Sequence, residues 1–113
     1  MIEPKQIIRY ANHVTAVTEP LRGKSGATLF CRRALKSAQT LFAAAKDVQS
    51  AERKVQKRAL DSVLSEYHRL EYVLDTLYAG KNIGENDYAR LIDEGKDFRN
   101  NVLLSICETR RTE

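Results

Sequence analysis

Between Gly26 and Gly80 the chain contains neither glycine nor proline, and this single fact limits what it can fold into. Strand-rich domains need turn residues every 8–12 positions or so, and none are available across that stretch. An all-α protein follows. A continuous helix from Ala27 to Tyr78 would project about 78 Å at 1.5 Å per residue, which a compact domain of 113 residues cannot hold straight. The stretch must therefore fold back on itself. The best break lies between Lys46 and Ala51, where the apolar stripe changes phase and Asp47 and Ser50 are candidate N-caps.

Apolar residues then divide among four helical stripes. In helix one, expected over 4–19, Ile7, Ala11, Val14 and Val17 share a face; Pro4 suits its first turn and Pro20 ends it, leaving Leu21 to plug the end of the core. Helix two, over 27–47, carries Phe30, Ala34, Ala38, Leu41, Ala45 and Val48. Helix three, over 51–79, carries Leu60, Val63, Tyr67, Leu70, Val73, Leu74 and Leu77, with Gly80 as a left-handed C-cap. Ile83 can fold back on the core from the next loop. Helix four, over 86–108, shows Tyr88, Leu91, Gly95, Phe98, Val102 and Ile106, and Thr109 to Glu113 reads as a frayed polar tail. Short connections make successive helices antiparallel, so the expected architecture is one domain, an up-down-up-down four-helix bundle. No apolar run approaches the ~20 residues that span a bilayer, and Met1 to Tyr10 lacks a stretch of signal-peptide length. The expected compartment is cytoplasmic, without a membrane partner.

The formal charge of +4 conceals a polar molecule. Residues up to Arg58 include 12 basic and 4 acidic side chains, net +8, whereas the remainder has 7 basic and 11 acidic, net −4. Antiparallel folding gathers the start of helix one, the turn between helices two and three, and the end of helix four at one pole. Lys5, Arg9 and Lys46 collect there with Arg53, Lys54, Lys57 and Arg58, joined by Arg110 and Arg111. Cations this close, within about a Debye length, attract phosphate and repel one another. The same residues on a solvated helix face, threaded by Glu52 and Asp61, would serve solubility alone. No aromatic is interleaved with the polar cations in sequence, so backbone contact with nucleic acid is favoured over stacking on bases.

Other constellations carry less. Gly23-Lys24-Ser25 mimics the end of a phosphate-binding loop, but Thr18 stands where that signature needs its first glycine and no strand precedes it. Tyr10 and Ser65 occupy the positions three before His13 and His68, which removes the Glu-x-x-His pairs of ferritin-like metal sites. His13, Cys31 and His68 fall at similar heights without a fourth ligand, so neither a metal nor another cofactor is expected. Cys31 and Cys107 fall at opposite ends of parallel helices and cannot form a disulfide. No nucleophile is set beside a base, and a non-enzymatic protein is expected. Tyr67, Tyr78 and Tyr88 read as packing residues, whereas Tyr72 falls off its stripe and leaves an aromatic ring exposed.

The segment Ala59 to Leu91 resembles a bacterial four-helix-bundle family in Leu64-Ser-Glu66, Leu70-Glu71-Tyr72-Val-Leu74, Ile83 and Tyr88-Ala-Arg-Leu91. That family includes proteins encoded in intervening sequences of large ribosomal RNA genes and the accessory variability protein of diversity-generating retroelements. Lys36-Ser-Ala-Gln-Thr40 replaces the Ser, Pro, Ala and Asn segment usual in the ribosomal branch, which favours the retroelement branch. The resemblance implies a basic adaptor that binds RNA or DNA and a reverse transcriptase, assembled as a homo-oligomer, a pentamer in that family. The alternatives are a ribosomal-RNA-associated bundle and a protein-only scaffold that docks a partner helix.

Overall fold

A computed structural model describes residues 1–111 as an all-α rod of 48 × 21 × 19 Å. Its helices are α1 (Pro4–Thr18), α2 (Thr28–Ala45), α3 (Arg53–Ala79) and α4 (Glu85–Arg111). The chain is the antiparallel four-helix bundle that its stripes require. Each helix packs on its chain neighbour and α4 closes back on α1. Polar bonds along that closing seam fix the antiparallel sense. The Ile2 N–H donates to Ser105 Oγ at 2.7 Å, the Asn101 amide to Gln6 Oε1 at 3.0 Å, and the His13 ring bonds Glu94 Oε2.

The stripes bury much as their spacing dictates. All seven expected positions of α3, from Leu60 to Leu77, are buried, as are Ile7, Ala11 and Val14 of α1 and Leu91, Phe98 and Val102 of α4. Val17, Phe30, Tyr88 and Ile106 are only partly buried and flank the core. The middle of the rod holds an aromatic layer that the stripes did not reveal in full. Tyr10, buried on α1, stacks on Phe98 with ring centroids 4.7 Å apart, and Tyr67 leans on both at 6.0 and 5.9 Å. Gly95 makes room for it: a Cβ there would lie 3.0 Å from Tyr67 Cε1 and 3.1 Å from its hydroxyl.

The helix ends depart from sequence expectation for local reasons. Thr18 ends α1 and a 3-10 turn, Glu19–Leu21, carries the chain through Pro20 with Leu21 buried. The Gly23-Lys24-Ser25 segment is a run of exposed turns closed by Gly26 at φ +86°, where a residue with a Cβ is strained. α2 stops at Ala45, short of residue 47, because Lys46–Gln49 tightens into a 3-10 turn that buries Val48. Asp47 lies inside that turn and Ser50 is extended, its Oγ accepting the Glu52 N–H at 3.2 Å. Neither caps α3, which begins at Arg53, two residues later than expected, with Glu52 as an N-cap residue making no side-chain cap.

Gly80 is not the left-handed residue; its φ is −80°. Lys81 takes that conformation instead at φ 61°. α4 also outruns its expected end. Thr109, Arg110 and Arg111 are helical rather than frayed, because Ser105 and Thr109 continue the buried face and Thr109 is only 5% exposed. Thr112 and Glu113 lie outside the described residues.

Candidate nucleic-acid interface

Which end of the rod holds the cations follows from a few short ties. The Gln49 amide reaches the Ile2 carbonyl at 3.4 Å, the Gln56 amide donates to the Val48 carbonyl at 3.0 Å, and the Met1 ammonium pairs with Glu108 at 3.5 Å. The start of α1, the α2–α3 connection, the first turns of α3 and the last turns of α4 therefore meet at one pole. Lys46, Arg53, Lys54 and Arg58 are exposed in the connection and the opening turns of α3, with Lys57 half-buried among them. Across from them, Arg110 and Arg111 are exposed on the last turn of α4. Lys57 and Arg110 line one cleft with Asp61 between α3 and α4, and Arg58 shares another with Asp47.

Carboxylates reach this pole too: Asp61 lies in the cleft with Lys57 and Arg110, and Asp47 in the one with Arg58. Lys5 pairs with Glu3 at 3.4 Å, but the two side chains are 75% and 57% exposed, and such surface pairs contribute little. Arg53, Lys54, Lys57 and Arg58 open α3, where the positive end of that helix's own dipole opposes them. In the folded rod α2 and α4 end where α1 and α3 begin, so alternating dipoles largely cancel. Arg9 stands apart from the group. It lines a cleft of about 300 Å³ between α1 and α4 where Glu94 and Asp97 face it, further along the rod than Lys5.

The tempting side chains of the sequence are dispersed. His13 is taken up by Glu94, and Cys31 is buried with its thiol donating to the Thr18 carbonyl at 3.0 Å. His68 is exposed on α3, with its ring edge against Tyr67. Among the described residues no group of His, Cys, Asp and Glu is arranged to hold a metal ion. Cys107 is exposed beside Glu108 at the cationic pole, whereas Cys31 faces the Thr18 end of α1. The two thiols therefore sit at opposite ends of the rod.

The tyrosines are held in distinct ways. Burial pushes the Tyr67 phenol up to about 12, with the Glu71 carboxylate, which accepts its hydroxyl at 3.2 Å, adding to the shift. Burial raises Tyr10 further still. Tyr78 and Tyr88 stack at 4.0 Å at the opposite end, where the Tyr88 hydroxyl donates to Asp75. Tyr72 is 64% exposed. It stands on the α2–α3 face next to Arg69, opposite Arg33 and Lys36. Tyr72 and Arg33 are remote in the chain, and only the pairing of α2 with α3 brings them together.

No helix is long and apolar enough to cross a membrane among the described residues. No family model, curated protein or solved structure matches this chain.

Proposed function

We propose that this bundle is a non-enzymatic, cytoplasmic adaptor that binds the phosphate backbone of RNA or DNA through its cationic pole. The supporting observation is the convergence of Lys46, Lys54, Arg58, Arg110 and Arg111, exposed and drawn from three segments of the chain, on one end of a rigid rod. Phosphates of one nucleic-acid backbone are spaced closely enough to engage several of these groups together, and such contacts carry affinity and salt sensitivity but no base choice. The resemblance of Ala59 to Leu91 adds the remainder of the reading: a reverse transcriptase as protein partner and a homo-oligomer, a pentamer by analogy, as the working form.

Binding of generic duplex DNA and RNA followed by fluorescence anisotropy across a salt series tests the core of this. Affinity should fall steeply, with a log–log slope of about −0.9 for each phosphate neutralised on duplex DNA. Absence of binding at low salt, or affinity indifferent to salt, overturns it. A second reading, a protein-only scaffold, draws support from Leu103 and Leu104, 41% and 61% exposed on the outer face of α4. Light scattering on the purified chain, with and without a reverse transcriptase from the same genome, tests the assembly and partner terms.

A further inference from the structure

α2 and α3 leave between them a groove of about 560 Å³, within the size range of small-ligand sites, on the side of the rod rather than at its pole. Its walls are built from unlike chemistry. α2 contributes Arg33 and Lys36, and α3 contributes Arg69 and the exposed ring of Tyr72. Two of the three cations are held in place. The Arg33 guanidinium lies 5.6 Å from the centroid of the Phe30 ring, a cation–π distance. Arg69 Nη1 donates to Glu66 Oε1 at 2.8 Å, and Glu66 is itself 7% exposed, so a buried carboxylate anchors one corner of a guanidinium that is otherwise 70% exposed. An anchored fork keeps its remaining N–H groups aimed outward and loses little freedom when an anion arrives. Among the described residues no carboxylate pairs with Arg33 or Lys36 in the way Glu66 pairs with Arg69.

A ligand that satisfies all of this has a flat π face for the Tyr72 ring and negative charge close beside it. Nucleotides have both. In a duplex the base faces are covered by their neighbours, so only an unpaired nucleotide offers its face to a protein ring. We infer that the α2–α3 groove seats an unpaired nucleotide of a single strand, its base stacked on Tyr72 and its flanking phosphates on Arg33, Lys36 and Arg69. This rests on the nucleic-acid reading of the protein but uses a surface separate from the cationic pole. It gives the adaptor a means of telling single strands from duplexes that the pole alone lacks.

The test uses the full chain and labelled 12-nucleotide single strands, the matching duplex, and a single strand of the same length with abasic sites at its centre, all at one moderate salt concentration. Tyr72→Leu removes the aromatic face from a solvent-exposed position and should weaken single-strand binding about 10-fold while leaving duplex binding unchanged. Tyr72→Phe should keep wild-type affinity for both, and the abasic strand should bind the wild type as weakly as the intact strand binds Tyr72→Leu. Lys54→Glu with Arg58→Glu should weaken strand and duplex alike. Equal effects of Tyr72→Leu on strand and duplex, no effect on either, or full-strength binding of the abasic strand each overturn the groove proposal. So does displacement of the single strand by a poly-glutamate peptide as effective as displacement by unlabelled strand, which would make the occupant an acidic protein segment. A duplex that fails to bind while the single strand binds through Tyr72 removes the pole reading and keeps the groove.

Discussion

The N–H of Asn82 donates to the carbonyl of Leu77 across 2.8 Å, and inside that loop the N–H of Lys81 donates to Tyr78 at 2.9 Å. This pair of bonds is a Schellman closure of α3, and it places Lys81, not the neighbouring Gly80, in the left-handed region. A residue with a Cβ is disfavoured there by roughly 1–2 kcal/mol, partly offset in glycine by the larger freedom of its unfolded chain. Lys81→Gly should therefore raise stability by about 0.5–1 kcal/mol in urea unfolding. Lys81→Ala, which removes the charge but retains the Cβ, should leave the midpoint where it is.

Gly95 sits in the interior of α4, where alanine ordinarily gains about 1 kcal/mol. Its Cβ would press on Tyr67, whose ring is wedged against Tyr10 and Phe98. Overpacking of this kind costs about 1–3 kcal/mol, so Gly95→Ala should be a net loss of about 1 kcal/mol. In a Tyr67→Leu background the same substitution should become neutral or stabilising, and a double-mutant cycle in denaturant measures the difference.

Alkaline unfolding should reveal the buried phenols. An ordinary tyrosine ionises near pH 10, and Tyr67 in the folded protein near 12, its burial opposing the charge. The unfolded chain thus releases its proton first. Stability is whole below pH 10 and declines from there towards pH 12. Tyr67→Phe should flatten that decline, and tyrosinate absorbance against pH should show part of the tyrosine signal delayed until the fold is lost.

At the cationic pole, Lys54→Glu and Arg58→Glu should each lower duplex affinity and make the salt slope shallower by about 1. Both residues are exposed, so the unfolding free energy should change by less than about 0.5 kcal/mol.

Thiol chemistry should separate the two cysteines. Cys107 is exposed and should react with a disulfide reagent at once, whereas Cys31 is buried and burial pushes its thiol pKa up. One thiol should be titrated quickly in the native protein and two in denaturant.

What sequence made legible here was whatever apolar periodicity encodes. The α3 stripe was legible from Leu60 to Leu77 because all but one of its inward positions are apolar or aromatic; the exception, Glu66, is buried with its carboxylate on Arg69 and carries no hydrophobic signal. The end of α4 was not, since Ser105 and Thr109 bury polar residue types by returning their hydroxyls to the helix's own carbonyls. Caps failed for a similar reason. Residue type nominated Asp47, Ser50 and Gly80, but Asp47 is taken into a 3-10 turn, Ser50 is extended with its hydroxyl on the Glu52 N–H, and the left-handed position passes to Lys81. Bringing the α2–α3 connection, the opening of α3 and the end of α4 to one pole needed only helix order and antiparallel sense, but those same rules carried Arg9 too close to it. The neighbourhood of Tyr72 needed the rotation of α2 against α3, which no one-dimensional pattern carries.

Three of the four inter-helix seams join elements that are consecutive along the chain, whereas α1 and the residues leading into it meet α4 through ties such as Ile2 to Ser105, 103 positions apart. Closing a loop of that length costs more chain entropy than closing any of the three local hairpins, so the α1–α4 seam is the non-local contact that sets the contact order of this bundle.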